Sequence, residues 1–212
     1  GLITAADLRG YRAKLREPVH GTYRGYHIYG PPPPSSGGIA LLQILNMMET
    51  FAFEPNDRYA PRTLHLLVES MRRTFRDRAQ HLGDPDFVDV PAHLLSKEYA
   101  RQLAGNIDPT HATLSRELAG EITVVDDGPH TTHFSVVDGT GMAVSNTYTL
   151  EQAFGSHVVV RGAGFVLNDE MRDFNRRPGI TDVTGGIGTT PNRIAPGKRM
   201  LSSMTPVVVT DS

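Results

Sequence analysis

Side chains that could do chemistry are spread along this 212-residue sequence, and few are spaced in a way that indicates one reaction. Glu170 and Asp173 stand three apart after Asn168, which suits either a polar turn or a clamp for a cationic group. The nine histidines are scattered, and none forms the helical His-x-x-x-His pair of zinc hydrolases. The glycine-rich run at 185–188 has neither dinucleotide nor P-loop spacing. Spacing alone therefore leaves the site open.

Composition excludes several classes of partner and of site, although it does not indicate a reaction. A net charge of −2 gives no reason to expect a nucleic acid or an anionic membrane surface as partner. The absence of cysteine excludes disulfides, thiolate zinc sites and a thiol nucleophile. No apolar run reaches the roughly 18 residues of a membrane span, and no signal peptide opens the chain. Both ends read as cuts within predicted elements, so we expect a longer protein.

The first segments predict rigid elements that could position a site. Thr4 fits the cap of a short helix ending near Lys14, and residues 21–29 predict a strand or hairpin. Residues 30–38 read GPPPPSSGG, which fits a linker or a Pro-rich ligand. A strongly apolar helix follows at once from Ile39, so we expect a rigid loop that delivers a buried helix. Its Ser and Gly N–H groups could also face an anion.

Two further helices are predicted before the chain changes character. Residues 61–80 have apolar side chains at helical spacing with charged ones mostly opposite, and residues 96–103 form a shorter helix. The apolar set is Leu64, Leu67, Val68, Met71, Phe75 and Ala79, and the charged set is Glu69, Arg72, Arg73, Arg76 and Asp77. Residues 105–129 are poorly periodic, which is typical of an exposed loop, where chains are cut.

From Thr131 onward the sequence is rich in β-branched residues. Residues 131–137 and 142–149 predict two strands joined by the turn sequence DGTG. Further strands are predicted at 158–161, 164–167 and 200–210, with a Gly-, Pro- and Asn-rich loop at 175–193. Helices first and strands afterwards favour an α+β fold over alternating βαβ units.

Motifs in order along the chain resemble those of the gamma-glutamyltransferase family of N-terminal-nucleophile hydrolases. The run DDGPHTTHFSVVD at 126–138 resembles the processing site at which the small subunit of these enzymes begins. Other similar motifs are PPPPSSGG at 31–38, QILN at 43–46, LGDPDF at 82–87, NTYTL at 146–150, FG at 154–155, LNDEMRDF at 167–174 and KRMLSSMTP at 198–206. A lone Thr-Thr-His run would be a chance match, whereas this ordered set is specific.

The resemblance implies a definite chemistry for Thr131. Its hydroxyl would attack the carbonyl of His130 in an N-to-O acyl shift, and water would then cleave the ester. Thr131 would become an N-terminal residue whose α-amine, with a pKa of about 8, can take the hydroxyl proton. Attack on a gamma-glutamyl amide would give an acyl-enzyme that water or an amino acid releases.

The resemblance also assigns roles by position. Thr149 would support the nucleophile's hydroxyl. Glu170 and Asp173 would hold the substrate's α-ammonium, and Ser202 and Ser203 its α-carboxylate, roles that suit carboxylates and hydroxyl donors. From the residues alone, a strand threonine, a polar loop and a turn explain them at least as well.

Two departures from the family pattern bear on the substrate. Glu151 stands where well-known members have an asparagine facing the gamma-glutamyl group, and Thr184 stands near where some bacterial members have a lid tyrosine. An anion at 151 should attract an ammonium and repel a carboxylate. These departures are compatible with a cephalosporin- or glutaryl-acylase-like amidase. An unprocessed, non-catalytic homologue is the alternative from a different class.

Further expectations follow from the resemblance alone. The fold would be a four-layer αββα sandwich, of which this chain holds the central portion. Residues 1–130 would belong to the large-subunit region and residues 131–212 to the small-subunit region of one structural domain. The family's oxyanion-hole glycines and an α-carboxylate-binding arginine lie outside these residues, so we expect the chain alone to be inactive.

Partners, cofactors and location are expected on the same basis. The partners would be a gamma-glutamyl substrate such as glutathione, water or an amino-acid acceptor, and the remainder of the two subunits. No metal or organic cofactor and no nucleic acid is expected. The resemblance implies a periplasmic or extracellular location.

Overall fold

Helices dominate the first half of the chain and strands the second. The structure is a computed structural model that describes residues 3–114, 117–118, 131–175 and 189–211. The helices are α1 (Ala5–Gly10), α2 (Gly37–Met48), α3 (Pro61–His81) and α4 (Lys97–Gly105), with 3₁₀ turns at Asp57–Tyr59, Ala92–Leu95 and Glu170–Asp173. The strands are β1 (Val19–Tyr23), β2 (Tyr26–Gly30), β3 (Thr131–Val137), β4 (Ala143–Thr149), β5 (Val159–Val160), β6 (Phe165–Val166) and β7 (Val208–Thr210). The predicted α+β class is confirmed.

A three-stranded antiparallel sheet joins the beginning of the chain to its end, in the order β1-β2-β7. The turn between β1 and β2 consists of Arg24 and Gly25, both with positive φ, as a type I′ hairpin turn requires. In the register of β2 with β7, Ile28 lies opposite Val209. The predicted strand at 200–210 is confirmed only over 208–210. It is wrong over 200–207, because that segment runs alongside the loop before α2 instead.

α2 forms the centre of the helical layer and packs on β1, β2, α3 and α4. Gly21 of β1 allows close approach, because a Cβ there would lie 2.7 Å from a methyl group of Leu42. Ile39 of α2 shares one core cluster with Leu82, Leu94 and Leu201. The predicted buried helix is thus confirmed, and its core includes Leu201 from the far end of the chain.

α3 buries the face that its sequence pattern assigns to solvent. Glu69, Arg73 and Asp77 are at most 3% exposed, whereas Leu64, Val68, Met71 and Phe75 are 39–51% exposed. The predicted charged outer face is therefore wrong for the three buried residues, and the predicted apolar inner face is wrong for the four exposed ones.

The buried charges of α3 are tolerated because each has partners inside the fold. Glu69 accepts hydrogen bonds from Arg73 Nη1 at 2.7 Å and from Thr113 Oγ1 at 2.6 Å. Burial opposes ionisation of Glu69, but these bonds outweigh it and hold its pKa at about 2. Asp77 accepts from Gln43 Nε2 at 2.7 Å and from the Tyr99 hydroxyl at 2.8 Å. Paired charges can occupy a core that would exclude single ones.

Two separate hairpins follow: the first is predicted, and the second pairs two segments that are predicted only as short strands. β3 pairs with β4 along its whole length, and β5 pairs with β6. In the turn between β3 and β4, Asp138 Oδ1 accepts from the N–H groups of Thr140 at 2.8 Å and Met142 at 3.0 Å. Most of the predicted loops at 105–129 and 175–193, together with His130 and Thr184, lies outside the described residues.

Candidate active site

The β3–β4 hairpin has one polar face that begins with Thr131. Thr131 lies opposite Thr149 in the register, and residues on one face of such a pair have Cβ atoms about 5 Å apart. The same face continues with His133 opposite Thr147 and Ser135 opposite Ser145, by the two-residue period of strands. His133 Nδ1 lies 2.7 Å from Thr147 Oγ1. Thr131 is exposed at the open end of this hydroxyl-rich face.

The Thr149 hydroxyl is oriented by the turn that ends β4. Its Oγ1 accepts a hydrogen bond of 2.8 Å from the N–H of Glu151, which has a φ of 73°. Such a left-handed conformation is uncommon for a residue with a side chain. A hydroxyl can accept an N–H in this way and donate its own proton as well. The arrangement therefore suits a hydroxyl that supports the one opposite.

The end of β4 is joined to the 3₁₀ turn that contains Glu170 and Asp173. Asp169 N–H donates to Leu150 O at 3.1 Å, and Asp169 Oδ1 accepts from Gln152 N–H at 3.2 Å. These two bonds bring Glu170 and Asp173 beside Glu151. The structure thus gathers the predicted Glu151, Glu170 and Asp173, together with Asp169, into one acidic cluster.

Glu170 is crowded by the other carboxylates of the acidic cluster. Burial, followed by the neighbouring charges and hydrogen bond of Asp173 and the charge of Glu151, raises the pKa of Glu170 to about 7. The guanidinium of Arg172 lies 3.6 Å from Glu151 Oε2. Glu170 Oε1 is buried with no hydrogen-bond partner among the described residues. The cluster would accordingly be stabilised by a further cation.

Ser202 is held by backbone pairing to the loop before α2. Its N–H donates to Pro34 O at 2.8 Å, and its carbonyl accepts from Ser36 N–H at 2.8 Å and Ser36 Oγ at 2.9 Å. The Gly37 N–H in turn donates to Ser35 Oγ at 3.2 Å. The N–H groups of Ser36 and Gly37 therefore have protein partners, and the anion predicted for them as one possibility is wrong there.

Ser203 is exposed and contacts an arginine that the sequence did not single out. Arg78 Nη2 donates to Ser203 Oγ at 3.1 Å, and its Nε donates to Ser36 Oγ at 2.9 Å. Nothing in the sequence distinguishes Arg78 from the other arginines of α3, because its partners are remote in the chain. The Ser/Gly loop and the serine pair are thus joined by a half-buried cation.

Two contacts connect the serine segment to the rest of the site. Val207 N–H donates to Ser145 Oγ at 3.1 Å, so the segment after Ser203 crosses the polar face of the hairpin. Buried Asn192 accepts from Leu201 N–H at 2.9 Å and donates to Asp173 O at 2.5 Å. Asn192 was missed because its loop composition indicated only a turn.

The structure therefore arranges the predicted residues in two neighbouring groups. One group joins Thr131, Thr149 and the acidic cluster, and the other holds the serine pair on the adjoining segment. Within the described residues, no group of three or more His, Asp or Glu side chains could hold a metal ion. In the same part of the chain, no helix combines the length and apolar character needed to cross a bilayer.

Comparison with known proteins decides the family. The model of the gamma-glutamyltranspeptidase family matches residues 1–212. The chain belongs to this family. Among curated relatives, the glutathione hydrolase proenzyme of Pseudomonas aeruginosa is 49% identical over 99% of this chain, and that of Escherichia coli is 43% identical over 99%. The acylase ACY 1 proenzyme of a Pseudomonas species is 40% identical over 98%.

Solved structures share the fold of this gamma-glutamyltranspeptidase family member. The cephalosporin acylase from Bacillus halodurans matches 100% of the chain with a TM-score of 0.76 and 28% identity. The gamma-glutamyltranspeptidase of Helicobacter pylori matches 58% with a TM-score of 0.54 and 41% identity. The predicted fold class of the N-terminal-nucleophile hydrolases is thereby confirmed. The chain spans 38% of the Pseudomonas aeruginosa relative and 35% of the acylase structure.

Proposed function

We propose that the protein cleaves itself before Thr131 and then hydrolyses or transfers gamma-glutamyl groups of glutathione or related amides. The observation that carries this proposal is the pairing of Thr131 with Thr149 beside an acidic cluster in which burial and neighbouring carboxylates raise the pKa of Glu170. The names of its relatives support it, since those from Pseudomonas aeruginosa and Escherichia coli are called glutathione hydrolase proenzymes.

Self-cleavage would use the Thr131 hydroxyl as nucleophile. Attack by Oγ on the His130 carbonyl forms an ester bond and breaks the peptide bond, and the hydroxyl proton moves to the released nitrogen. Water then hydrolyses the ester, leaving a carboxylate on His130 and a free hydroxyl and α-amine on Thr131. Residues 1–130 would then belong to the large subunit and residues 131–212 to the small subunit. The remainder of the protein would complete both subunits.

Turnover would reuse the same hydroxyl. The α-amine of Thr131 takes the hydroxyl proton as Oγ attacks the gamma-carbonyl, and the amine of the leaving group departs with a proton. The resulting ester is released by water, as hydrolysis, or by an amino acid, as transfer. The Thr149 hydroxyl, held by the Glu151 N–H, would donate to Thr131 Oγ and keep it in place.

Recognition would rest on complementary charge at the two ends of the substrate. Glu151, Glu170 and Asp173 would surround the α-ammonium, whose positive charge suits a group of carboxylates. Ser202 and Ser203 would donate to the α-carboxylate. A periplasmic or extracellular location and the absence of a cofactor stay predictions from the family.

An acylase acting on glutaryl-type side chains is the second candidate. The fold match to a cephalosporin acylase and the 40% identity to an acylase proenzyme favour it. A glutaryl group lacks the ammonium that the acidic cluster would bind, and three nearby carboxylates repel rather than attract it. Comparing hydrolysis of gamma-glutamyl and glutaryl anilides by the complete protein separates the two candidates.

The substitution Thr131→Ala tests the nucleophile in both steps. We expect mass spectrometry of the complete protein to find two chains separated before Thr131 in the wild type and one uncut chain in the variant. Anilide turnover should be lost as well, because the cut would give only residue 131 a free α-amine beside its own hydroxyl. The matched control is Thr140→Ala, which removes a hydroxyl from the far end of the same hairpin and should be cut normally. Cleavage of Thr131→Ala would refute the assignment.

A further inference from the structure

Arg78 joins two serine-bearing segments that lie far apart in the chain. Its Nε donates to Ser36 Oγ at 2.9 Å, and its Nη2 donates to Ser203 Oγ at 3.1 Å. Ser36 Oγ donates onward to Ser202 O at 2.9 Å. A single guanidinium therefore fixes the loop before α2 and the serine pair relative to each other.

The direction of these bonds determines what the Ser203 hydroxyl can offer a ligand. A guanidinium has only donors, so Ser203 Oγ is the acceptor in its bond with Arg78. The hydroxyl proton must then point elsewhere, and Ser203 is exposed. A hydroxyl that accepts from a cation is also a better donor, because the nearby positive charge strengthens its bond to an anion.

The backbone around Ser203 is held firmly enough for this orientation to matter. Ser202 N–H and carbonyl are both paired with the loop before α2, at 2.8 Å to Pro34 O and 2.8 Å to Ser36 N. Ser35 Oγ donates to Met204 O at 2.6 Å on the other side of Ser203. The main chain on both sides of Ser203 is thus fixed, and Arg78 fixes the side chain.

We infer that Arg78 is a positioning residue that sets the Ser203 hydroxyl to donate to the α-carboxylate of the substrate; this rests on the proposed function. Arg78 acts from the part of the chain before Thr131 on a serine after it. The carboxylate end of the substrate would therefore be recognised only when both parts of the chain are in place.

The test uses three anilides that differ at one end of the acyl group. Gamma-glutamyl anilide has both the ammonium and the carboxylate, glutaryl anilide has only the carboxylate, and 4-aminobutyryl anilide has only the ammonium. For Arg78→Met in the complete, processed protein we expect KM to rise about tenfold for the two carboxylate substrates. KM for 4-aminobutyryl anilide and kcat for all three should stay within about twofold.

Two further variants separate orientation from general disruption. Arg78→Lys keeps a charge that can reach one serine and should recover part of the lost affinity. Adding Arg78→Met to Ser203→Ala should raise KM no further than Ser203→Ala does alone, because the two residues would act as one unit. Arg101→Met removes an exposed arginine paired with Glu98 and should leave all constants unchanged.

The outcomes distinguish this inference from the proposed function. A wild-type protein that hydrolyses no gamma-glutamyl or 4-aminobutyryl anilide and does not bind glutamate in calorimetry overturns the proposed function, and the inference with it. Normal wild-type turnover with equal KM changes for all three anilides in Arg78→Met overturns the inference alone. Complete self-cleavage of Arg78→Met serves as the check that the variant folds. If Arg78→Met does not fold, additive effects of Arg78→Lys and Ser203→Ala contradict the inference.

Discussion

The carboxyl group of Glu170 has a raised pKa and stays protonated to an unusually high pH. Burial and the neighbouring carboxylates raise its pKa from 4.5 to about 7 in the folded protein. The folded state therefore binds more protons than the unfolded state between these two pH values. The contribution of Glu170 to the free energy of unfolding is therefore complete below pH 4.5 and is lost as the pH rises through 7.

The substitution Glu170→Gln should remove this part of the pH dependence. We expect the wild type to lose stability relative to the variant between pH 5 and pH 8, measured as the difference in urea midpoints. Glu98→Gln is the control, because exposed Glu98 pairs with Arg101 and its pKa is lowered rather than raised. A constant difference between wild type and Glu170→Gln across this range would contradict the raised pKa.

Residue positions could be predicted from the sequence where the partners are close in the chain. The turn sequence between β3 and β4 fixes the register that sets Thr131 opposite Thr149, and the spacing of Glu170 and Asp173 fits one turn. The contacts of Arg78 and Asn192 were missed, because they join segments whose approach depends on the whole fold. Arg78 and its partner Ser203 are 125 residues apart, so their contact leaves no pattern in the local sequence.

At the scale of elements, α3 shows how a hydrophobic pattern can mislead. Its bounds were predicted within one residue, since Pro61 begins it and the break after His81 ends it. Its orientation was wrong, because Gln43, Tyr99 and Thr113 supply hydrogen bonds that allow Asp77 and Glu69 to be buried. Hydrophobic periodicity predicts that a helix forms. It does not show which hydrogen-bond partners the neighbouring elements supply, and these partners decide which face is buried.

The start of α2 should be intolerant of any side chain at Gly37. A Cβ there would clash with Thr205 Oγ1 and lie 2.9 Å from Met204 O, so the segment with Ser202 and Ser203 would have to move. We expect Gly37→Ala to lower the free energy of unfolding by about 1–3 kcal/mol, measured by urea denaturation. It should also raise KM for gamma-glutamyl anilide.

Gly105→Ala is the control for this substitution. Gly105 ends α4, and a Cβ there would meet nothing within 4 Å, so we expect a change of stability close to zero or slightly favourable. Equal stability of Gly37→Ala and wild type would show that the serine segment does not depend on this close approach.

At the scale of the whole molecule, the segments before and after Thr131 form one structure. Leu201 belongs to the same core cluster as Ile39 and Leu82, and Asp84, which is fully buried, accepts from Arg199 N–H at 2.8 Å. The class of fold was predictable from the order of helices and strands. The mutual packing of the two parts was not, since each part alone reads as an ordinary helical or β segment.

The position of β7 in the three-stranded sheet has a consequence for refolding. β7 comes from beyond Thr131 but pairs with β2, so a cut before Thr131 would place neighbouring strands of one sheet on separate chains. Refolding of the cut protein would then become a second-order assembly reaction, whereas uncut Thr131→Ala would refold at a rate independent of concentration. Dilution series of both forms after denaturant removal measure this difference. Equal concentration dependence would contradict it. In this sense the peptide bond before Thr131 would act as a disposable tether, needed to bring the sheet together and unnecessary once it has formed.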